Sequence, residues 1–251
     1  SIEQIHSLYH KQQAHTESVK KLKPTARIAL LKKLKERILQ FEPLLIQALH
    51  KDFKKCAFET EVTEVFATLF ELNQNIKKLR SWTKDKPVGR SLMFFNVKAY
   101  LHYEPKGQVL IITPWNYPFQ LPMCHLISAI AAGNTVLLKL SEYAPHSNQV
   151  IKEIVHSVFP SHHVAVIEGA VAETTALLDL KFDHIHFTGP PAVGKVVMKA
   201  ASNHLADLTL ELGGKSPVLI DQDVNVDQVV KNIIWAKFVN AGQTCIAPDY
   251  I

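Results

Sequence analysis

GQVLIITPWNYPFQLPMCHLISAIAAGNTVLLKL, residues 107–140, decides the fold. Gln108–Ile112 is a short apolar run opened by Gly107 and closed by Thr113-Pro114. Phe119–Ala132 carries apolar residues at helical spacing and stops at Gly133, and Thr135–Leu140 is again short and apolar. The alternation continues downstream. The pattern predicts helices over Asn148–Phe159, Ala172–Leu180 and Val193–His204. It predicts strands over Val164–Ile167, His184–Phe187, Leu208–Leu212 and Val218–Ile220, with Asn225 capping a last helix through Val239. Apolar strands alternating with helices imply an α/β fold, a parallel sheet covered on both faces. Such sheets take ligands at the carboxyl ends of their strands.

Upstream, the first eighty residues read as helices. Pro24 and Thr25 open one carrying Ile28, Leu31, Leu34 and Ile38, and Pro43 suits the first turn of the next. A third has Val62, Val65, Phe66, Leu69, Leu72, Ile76 and Leu79 on one side. The segment 83–91 breaks the pattern, and 92–103, with Phe94, Phe95, Val97, Tyr100, Leu101 and Tyr103, reads as an excursion of one or two strands.

The chain has 251 residues, 47% of them hydrophobic, and a formal net charge of +5. Residues 1–86 hold 17 Lys and Arg against 10 Asp and Glu, so the basic excess sits on the N-terminal helices. No aromatic interleaving or recognition motif accompanies it, so it reads as a solvated face and not as a nucleic-acid surface. Cys56, Cys124 and Cys245 are an odd number without disulfide or zinc spacing, which suits a reducing compartment and makes cytoplasm the expectation. No run approaches the roughly 20 apolar residues of a membrane span, and none resembles a secretory leader. His184-x-His186 points to one face of a strand without a third ligand at metal-site spacing, so no metal is expected. His162 and His163 read as solvent-facing.

Four motifs carry chemistry, and each has two readings. Phe187-Thr188-Gly189-Pro190-Pro191-Ala192-Val193-Gly194-Lys195 joins a strand to a helix. Its glycines would allow a tight turn and a phosphate at the helix start; a purely structural turn explains it equally well. The same string nearly matches a P-loop, with Val218-Leu219-Ile220-Asp221 as the second nucleotide strand, but residue 196 is Val where a Mg²⁺-binding hydroxyl belongs. Gly242-Gln243-Thr244-Cys245 puts a thiol in a turn, as a nucleophile or a structural cysteine. Leu210-Glu211-Leu212-Gly213-Gly214 holds a carboxylate whose burial would suit it to general-base work, or else an exposed strand-end Glu. Thr113-Pro114-Trp115-Asn116-Tyr117-Pro118 fixes an amide that can donate to an oxyanion or satisfy its own backbone.

Together, in this order and on these elements, the motifs resemble the aldehyde dehydrogenase superfamily, nearest its class 3 or fatty-aldehyde type, along the whole chain. The resemblance implies a Rossmann-type sheet with helices on both faces, N-terminal helices, and the start of a second α/β catalytic domain. It implies a nucleotide-binding domain of residues 1–82 and 104–210, oligomerisation strands at 83–103, and a catalytic domain beginning at 211–251 and continuing beyond this sequence. Cys245 would attack the aldehyde, Asn116 and the Cys245 N–H would hold the oxyanion, and Glu211 would activate the hydrolytic water. Gly189, Pro190, Pro191, Ala192, Val193 and Gly194 would form the phosphate turn, Lys139 and Glu142 the ribose contacts, and Trp115 a neighbour of the pyrophosphate. NAD is the implied cofactor, with NADP as the variant. An apolar small-molecule aldehyde would be the substrate and a second copy of the chain the partner. A non-catalytic nucleotide-binding fragment is the alternative. Prolines at 190 and 191, where the family commonly has Ser or Thr, would remove amide donors from the phosphate turn.

Overall fold

The computed structural model describes residues 1–89, 93 and 96–251. The expected strands form one parallel sheet: β3 (Gln108–Ile112), β4 (Thr135–Lys139), β5 (Val164–Ile167), β6 (His184–Gly189) and β7 (Asp207–Leu212), in the order β5-β4-β3-β6-β7. Every residue of β3, β4 and β5 is buried, as expected of strands with a helix layer on each face. Successive side chains point to opposite faces. Val109, Ile111, Val136 and Leu138 therefore join one core, and Leu110, Ile112, Leu137, Ile185 and Phe187 the other.

The connecting helices are α5 (Gln120–Ala132), α6 (Pro145–Val158), α7 (Val171–Leu178) and α8 (Pro191–Ser202). Gly133 ends α5 in a left-handed conformation (φ 93°), where an added Cβ would lie 2.4 Å from the Arg27 guanidinium carbon. Arg27 instead donates to the Ala131 and Ala132 carbonyls at the end of that helix. Helix α6 starts at Pro145, three residues before the expected Asn148, because proline at the first turn forfeits no hydrogen bond. Asp52 closes that end by accepting from the His146 and Ser147 amides at 3.1 and 2.7 Å.

The N-terminal helices complete both layers. α1 (Ile2–Lys20) lays Ile5 and Tyr9 on one sheet face, while α2 (Pro24–Phe53) and α4 (Ala67–Trp82) cover the other with α5 and α6. The sequence suggested that Pro43 opens a helix. It lies inside α2, a single 30-residue helix. A short α3 (Ala57–Thr60) passes through a π-helical turn, Glu61–Phe66, into α4. The wider winding takes Val62 and Phe66 out of the expected apolar stripe; both are exposed, while Val65, Leu72 and Leu79 are buried.

In the excursion, β1 (Lys86–Pro87) pairs antiparallel with β2 (Tyr100–Leu101), both exposed. Phe94 and Phe95 lie outside the described residues. Val218–Ile220 is not a strand. β8 (Ser216–Pro217) pairs with β9 (Pro248–Tyr250), the Val218 amide adds one bond to the Tyr250 carbonyl at 2.9 Å, and Leu219 is 93% exposed. Asn225 caps α9 (Val226–Phe238) as expected, accepting from the Gln228 amide at 3.0 Å, and none of that helix's residues is buried. Among the described residues no helix is long and apolar enough to cross a membrane.

Candidate active site

β3 and β6 are neighbours, but the chain leaves β3 toward β4 and leaves β6 toward β7, on opposite sides. Such a reversal opens a crevice at the carboxyl ends of the two strands. The Thr113–Pro118 loop leaves β3 there, anchored where the Thr113 amide donates to the Lys139 carbonyl at 3.2 Å. Gly189 ends β6 and Pro190 precedes α8. Glu211 lies beside Thr188 in the register of β6 and β7.

Cys245 reaches the same crevice from far along the chain. After α9, Asn240, Ala241 and Gly242 are all left-handed (φ 55°, 54° and 78°), and the reversal turns the chain back on the sheet. The Asn240 amide donates to Glu59 at 3.3 Å, and its side chain donates to the Asn116 carbonyl at 2.7 Å. Asn116 donates through Nδ2 to the Gln243 carbonyl at 2.9 Å, and the Tyr117 and Thr244 hydroxyls meet at 2.6 Å. The result is one cavity of about 350 Å³ lined by Trp115, Asn116, Gly189, Pro190, Glu211 and Cys245 among others. The three candidate catalytic residues thus share one open space.

Cys245 is exposed, as a turn thiol should be. Glu211 is exposed too, against the expectation of a buried carboxylate. β7 is the last strand of its sheet, and among the described residues its outer side carries no neighbouring strand. Asn116 has spent one amide hydrogen on Gln243, leaving a second for a ligand.

The phosphate-turn candidates divide. Gly189 and Pro190 line the cavity, whereas Pro191, Ala192 and Val193 form the exposed first turn of α8. Neither Gly189 nor Gly194 is left-handed, so the tight-turn reason for them fails. Their reason is space. A Cβ at Gly189 would meet the Phe187 ring at 2.5 Å, and one at Gly194 would meet Leu212 at 3.0 Å, so glycine lets α8 lie close on the sheet. Pro190 and Pro191 lack N–H groups, and those of Val193 and Gly194 bond the Pro190 carbonyl. Ala192 is left to supply the first-turn amide. Lys139, the last residue of β4, and Glu142 lie 3.5 Å apart, outside the lining of this cavity but at the same end of the sheet. Burial lowers Lys139 from the usual amine value. The P-loop alternative loses its second strand, since Val218–Ile220 is irregular.

Sequence reasoning missed the supports. Lys55 and Glu64 are buried and paired at 2.8 Å; their nine-residue spacing crosses a helix break and the π-turn, so no periodicity reveals it. His125 also escaped notice inside an apolar helix. Its ring lies 3.7 Å from that of His186, and both line a separate cavity of about 300 Å³ with His184. Among the described residues no three His, Cys, Asp or Glu side chains are grouped to hold a metal. His163, expected in solvent, is buried edge-on to Phe159.

The model of the aldehyde dehydrogenase family matches residues 1–251. A 4,4'-diaponeurosporen-aldehyde dehydrogenase of Staphylococcus aureus is 47% identical over 221 residues, 88% of this chain and 48% of that protein. A dimeric, NADP-preferring aldehyde dehydrogenase of Rattus norvegicus is 43% identical over 225 residues, 90% of this chain and 50% of its own length. The solved substrate-bound state of Staphylococcus aureus AldH superposes with a TM-score of 0.95 at 42% identity, covering 98% of this chain and 54% of that one. The chain spans about half the length of the curated relatives it matches. With a parallel sheet whose switch point gathers Asn116, Glu211 and Cys245, and a family match along its full length, the chain belongs to the aldehyde dehydrogenase family.

Proposed function

We propose that the chain carries the nucleotide-binding part, residues 1–82 and 104–210, and the opening of the catalytic part, residues 211–251, of a cytoplasmic enzyme that oxidises an aldehyde to a carboxylic acid. Residues 83–103 would serve a homodimer; the rat relative is named as dimeric. The observation that carries the reading is the single cavity shared by Asn116, Glu211 and Cys245 at the switch point.

The residues fit a nicotinamide dinucleotide. Glycine at 194 brings the start of α8 close to the crevice, in a space that a Cβ would fill. The Gly189–Gly194 turn would hold the pyrophosphate beside Trp115, and Lys139 with Glu142 would hold a ribose. A carboxylate accepts from ribose hydroxyls and repels a 2′-phosphate, so Glu142 favours NAD over NADP. When bound, the cofactor accepts the two electrons, as hydride, that the aldehyde carbon loses.

The chain's own residues perform the remaining steps. The Cys245 thiolate adds to the carbonyl carbon, forming the C–S bond as the carbonyl π pair moves to oxygen. The free Asn116 amide hydrogen and the Cys245 N–H stabilise that oxyanion. Its collapse restores C=O and leaves a thioester on Cys245. Glu211 takes a proton from water, which attacks the thioester and releases the acid and the thiolate. Pro114, Trp115 and Leu121 in the lining suit an apolar aldehyde.

A second reading, a nucleotide-binding fragment without turnover, is favoured by the exposure of Glu211, because an open carboxylate is a poorer general base than an enclosed one. Two measurements test both. Thermal shift with NAD, NADP and ATP should stabilise the chain with NAD most. NADH production from aldehyde should be present in the parent and absent in Cys245→Ser. Stabilisation without NADH selects the fragment, and stabilisation by ATP alone overturns the dinucleotide reading.

A further inference from the structure

The site contains a support that its reacting groups do not use. The Lys55 ammonium and Glu64 carboxylate are each at most 2% exposed and 2.8 Å apart. The second oxygen of Glu64 accepts from the amides of Phe119 and Gln120, at 3.1 and 2.7 Å, closing the start of α5. The Lys55 ammonium lies 4.5 Å from the centre of the Tyr117 ring, a cation–π contact that desolvation strengthens. A buried pair roughly breaks even as a stabiliser, but it fixes the groups bonded to it. Here those groups are the first turn of α5 and the face of Tyr117.

Tyr117 passes that order on. Burial raises its hydroxyl above the usual phenol value, so the group keeps its proton. The hydroxyl meets Thr244 Oγ1 at 2.6 Å, one residue before Cys245. Asn116, the preceding residue, holds the Gln243 carbonyl. Without the Tyr117 hydroxyl, the cysteine turn would depend on Asn116 and Asn240, and its backbone already carries two left-handed residues other than glycine.

We propose that Tyr117, seated on the buried Lys55–Glu64 pair, is a positioning residue for Cys245. Its hydroxyl fixes Thr244, and through it the sulfur and backbone N–H of Cys245 relative to the Asn116 amide. The inference rests on Cys245 being the nucleophile, and its test reads the addition step alone. When an aldehyde adds to Cys245, the C–S bond forms, the thiol proton passes to the carbonyl oxygen, and the resulting thiohemiacetal resists alkylation. No oxidant is needed.

The experiment labels the 251-residue chain with iodoacetamide over a hexanal titration and reads Cys245 by peptide mass spectrometry. The hexanal concentration that halves labelling measures addition, and as a ratio it cancels changes in the rate of the free thiol. Loss of one hydrogen bond of ordinary strength should weaken protection about three- to tenfold in Tyr117→Phe. Thr244→Val should do the same, and the double variant should be no worse than the weaker-binding single, because both remove one bond. Cys124 is the folding control, since burial pushes its part-buried thiol up to about 11 and it should stay unlabelled. Unchanged protection in both single variants overturns the inference, as does an additive loss in the double variant, or labelling of Cys124 in step with Cys245. If hexanal protects nothing in the parent chain, the nucleophile reading falls first and takes this inference with it.

Discussion

Acidification should destabilise this protein through one buried and two part-buried histidines, and the size of the effect follows from the structure. The rings of His125 on α5 and His186 on β6 lie 3.7 Å apart, tilted by 40°, and the Nε2 of His125 has no hydrogen-bond partner among the described residues. Burial pushes His125 down to about 4. Burial, then repulsion from His125 and His184, pushes His186 down to about 3. His163 is pushed down to about 4 by burial and then by His162. An unfolded histidine titrates near 6.5. Folded values below the unfolded one mean that the unfolded chain takes up protons first. Stability is therefore whole above about pH 6.5 and is lost as the pH falls toward the folded values. At about pH 5 each ring costs about 2 kcal/mol relative to pH 7.5, or about 6 kcal/mol for the three. That is a large part of the roughly 5–15 kcal/mol that holds a typical domain folded. With a urea slope of about 2.5 kcal/mol/M, the midpoint should drop by roughly 2 M between those two pH values. The variant His125→Leu with His186→Val keeps only His163 of the three, so its midpoint should drop by about 1 M or less. Equal drops in the variant and the parent would refute the idea that the His125–His186 pair is held neutral.

Three further outcomes are expected. Gly133→Ala should lower stability by about 3–5 kcal/mol, combining a left-handed alanine with displaced guanidinium bonds, and calorimetry should see the melting point fall by roughly 10 °C; a fall under about 2 °C would contradict the Arg27 contact. Pro190→Ser restores a cap and an N–H at the start of α8 and should tighten NAD binding; titration calorimetry giving equal or weaker binding counts against the phosphate turn. Lys55→Met strands the Glu64 charge and should cost about 3–5 kcal/mol in urea unfolding; a loss below about 1 kcal/mol would mean that the pair is solvated.

The sheet was legible because its strands announce themselves. Val164–Ile167 and Thr135–Lys139 are apolar runs between turn residues, and burial on both faces demands that pattern. Pro43 misled because a proline reads as a helix start wherever it stands, yet a long helix can carry one in its interior at the loss of a single bond. Val218–Ile220 misled because short apolar runs suggest a strand even where the pairing ends at the Val218 amide and leaves Leu219 and Ile220 without a strand beside them among the described residues. At the site, Asn116, Glu211 and Cys245 were readable as residue types next to turns. The exposure of Glu211 was not, because it depends on which strand stands at the edge of the sheet. Lys55, Glu64 and His125 were invisible for a related reason. Their partners are distant in sequence or lie across an irregular turn, and local periodicity carries no trace of either.

The ties across the cavity have a kinetic consequence. Asn116 and Gln243 are 127 positions apart, and Asn240 meets Glu59 across 181. Contacts that close such long loops form after local ones, because chain entropy must be lost before they reward it. Helical turns and neighbouring strands should therefore assemble first, with the cysteine turn docking in the slowest phase. A fluorophore on Cys245 would time the end of refolding, while the intrinsic signal of Trp115 against Phe53 would report an earlier stage.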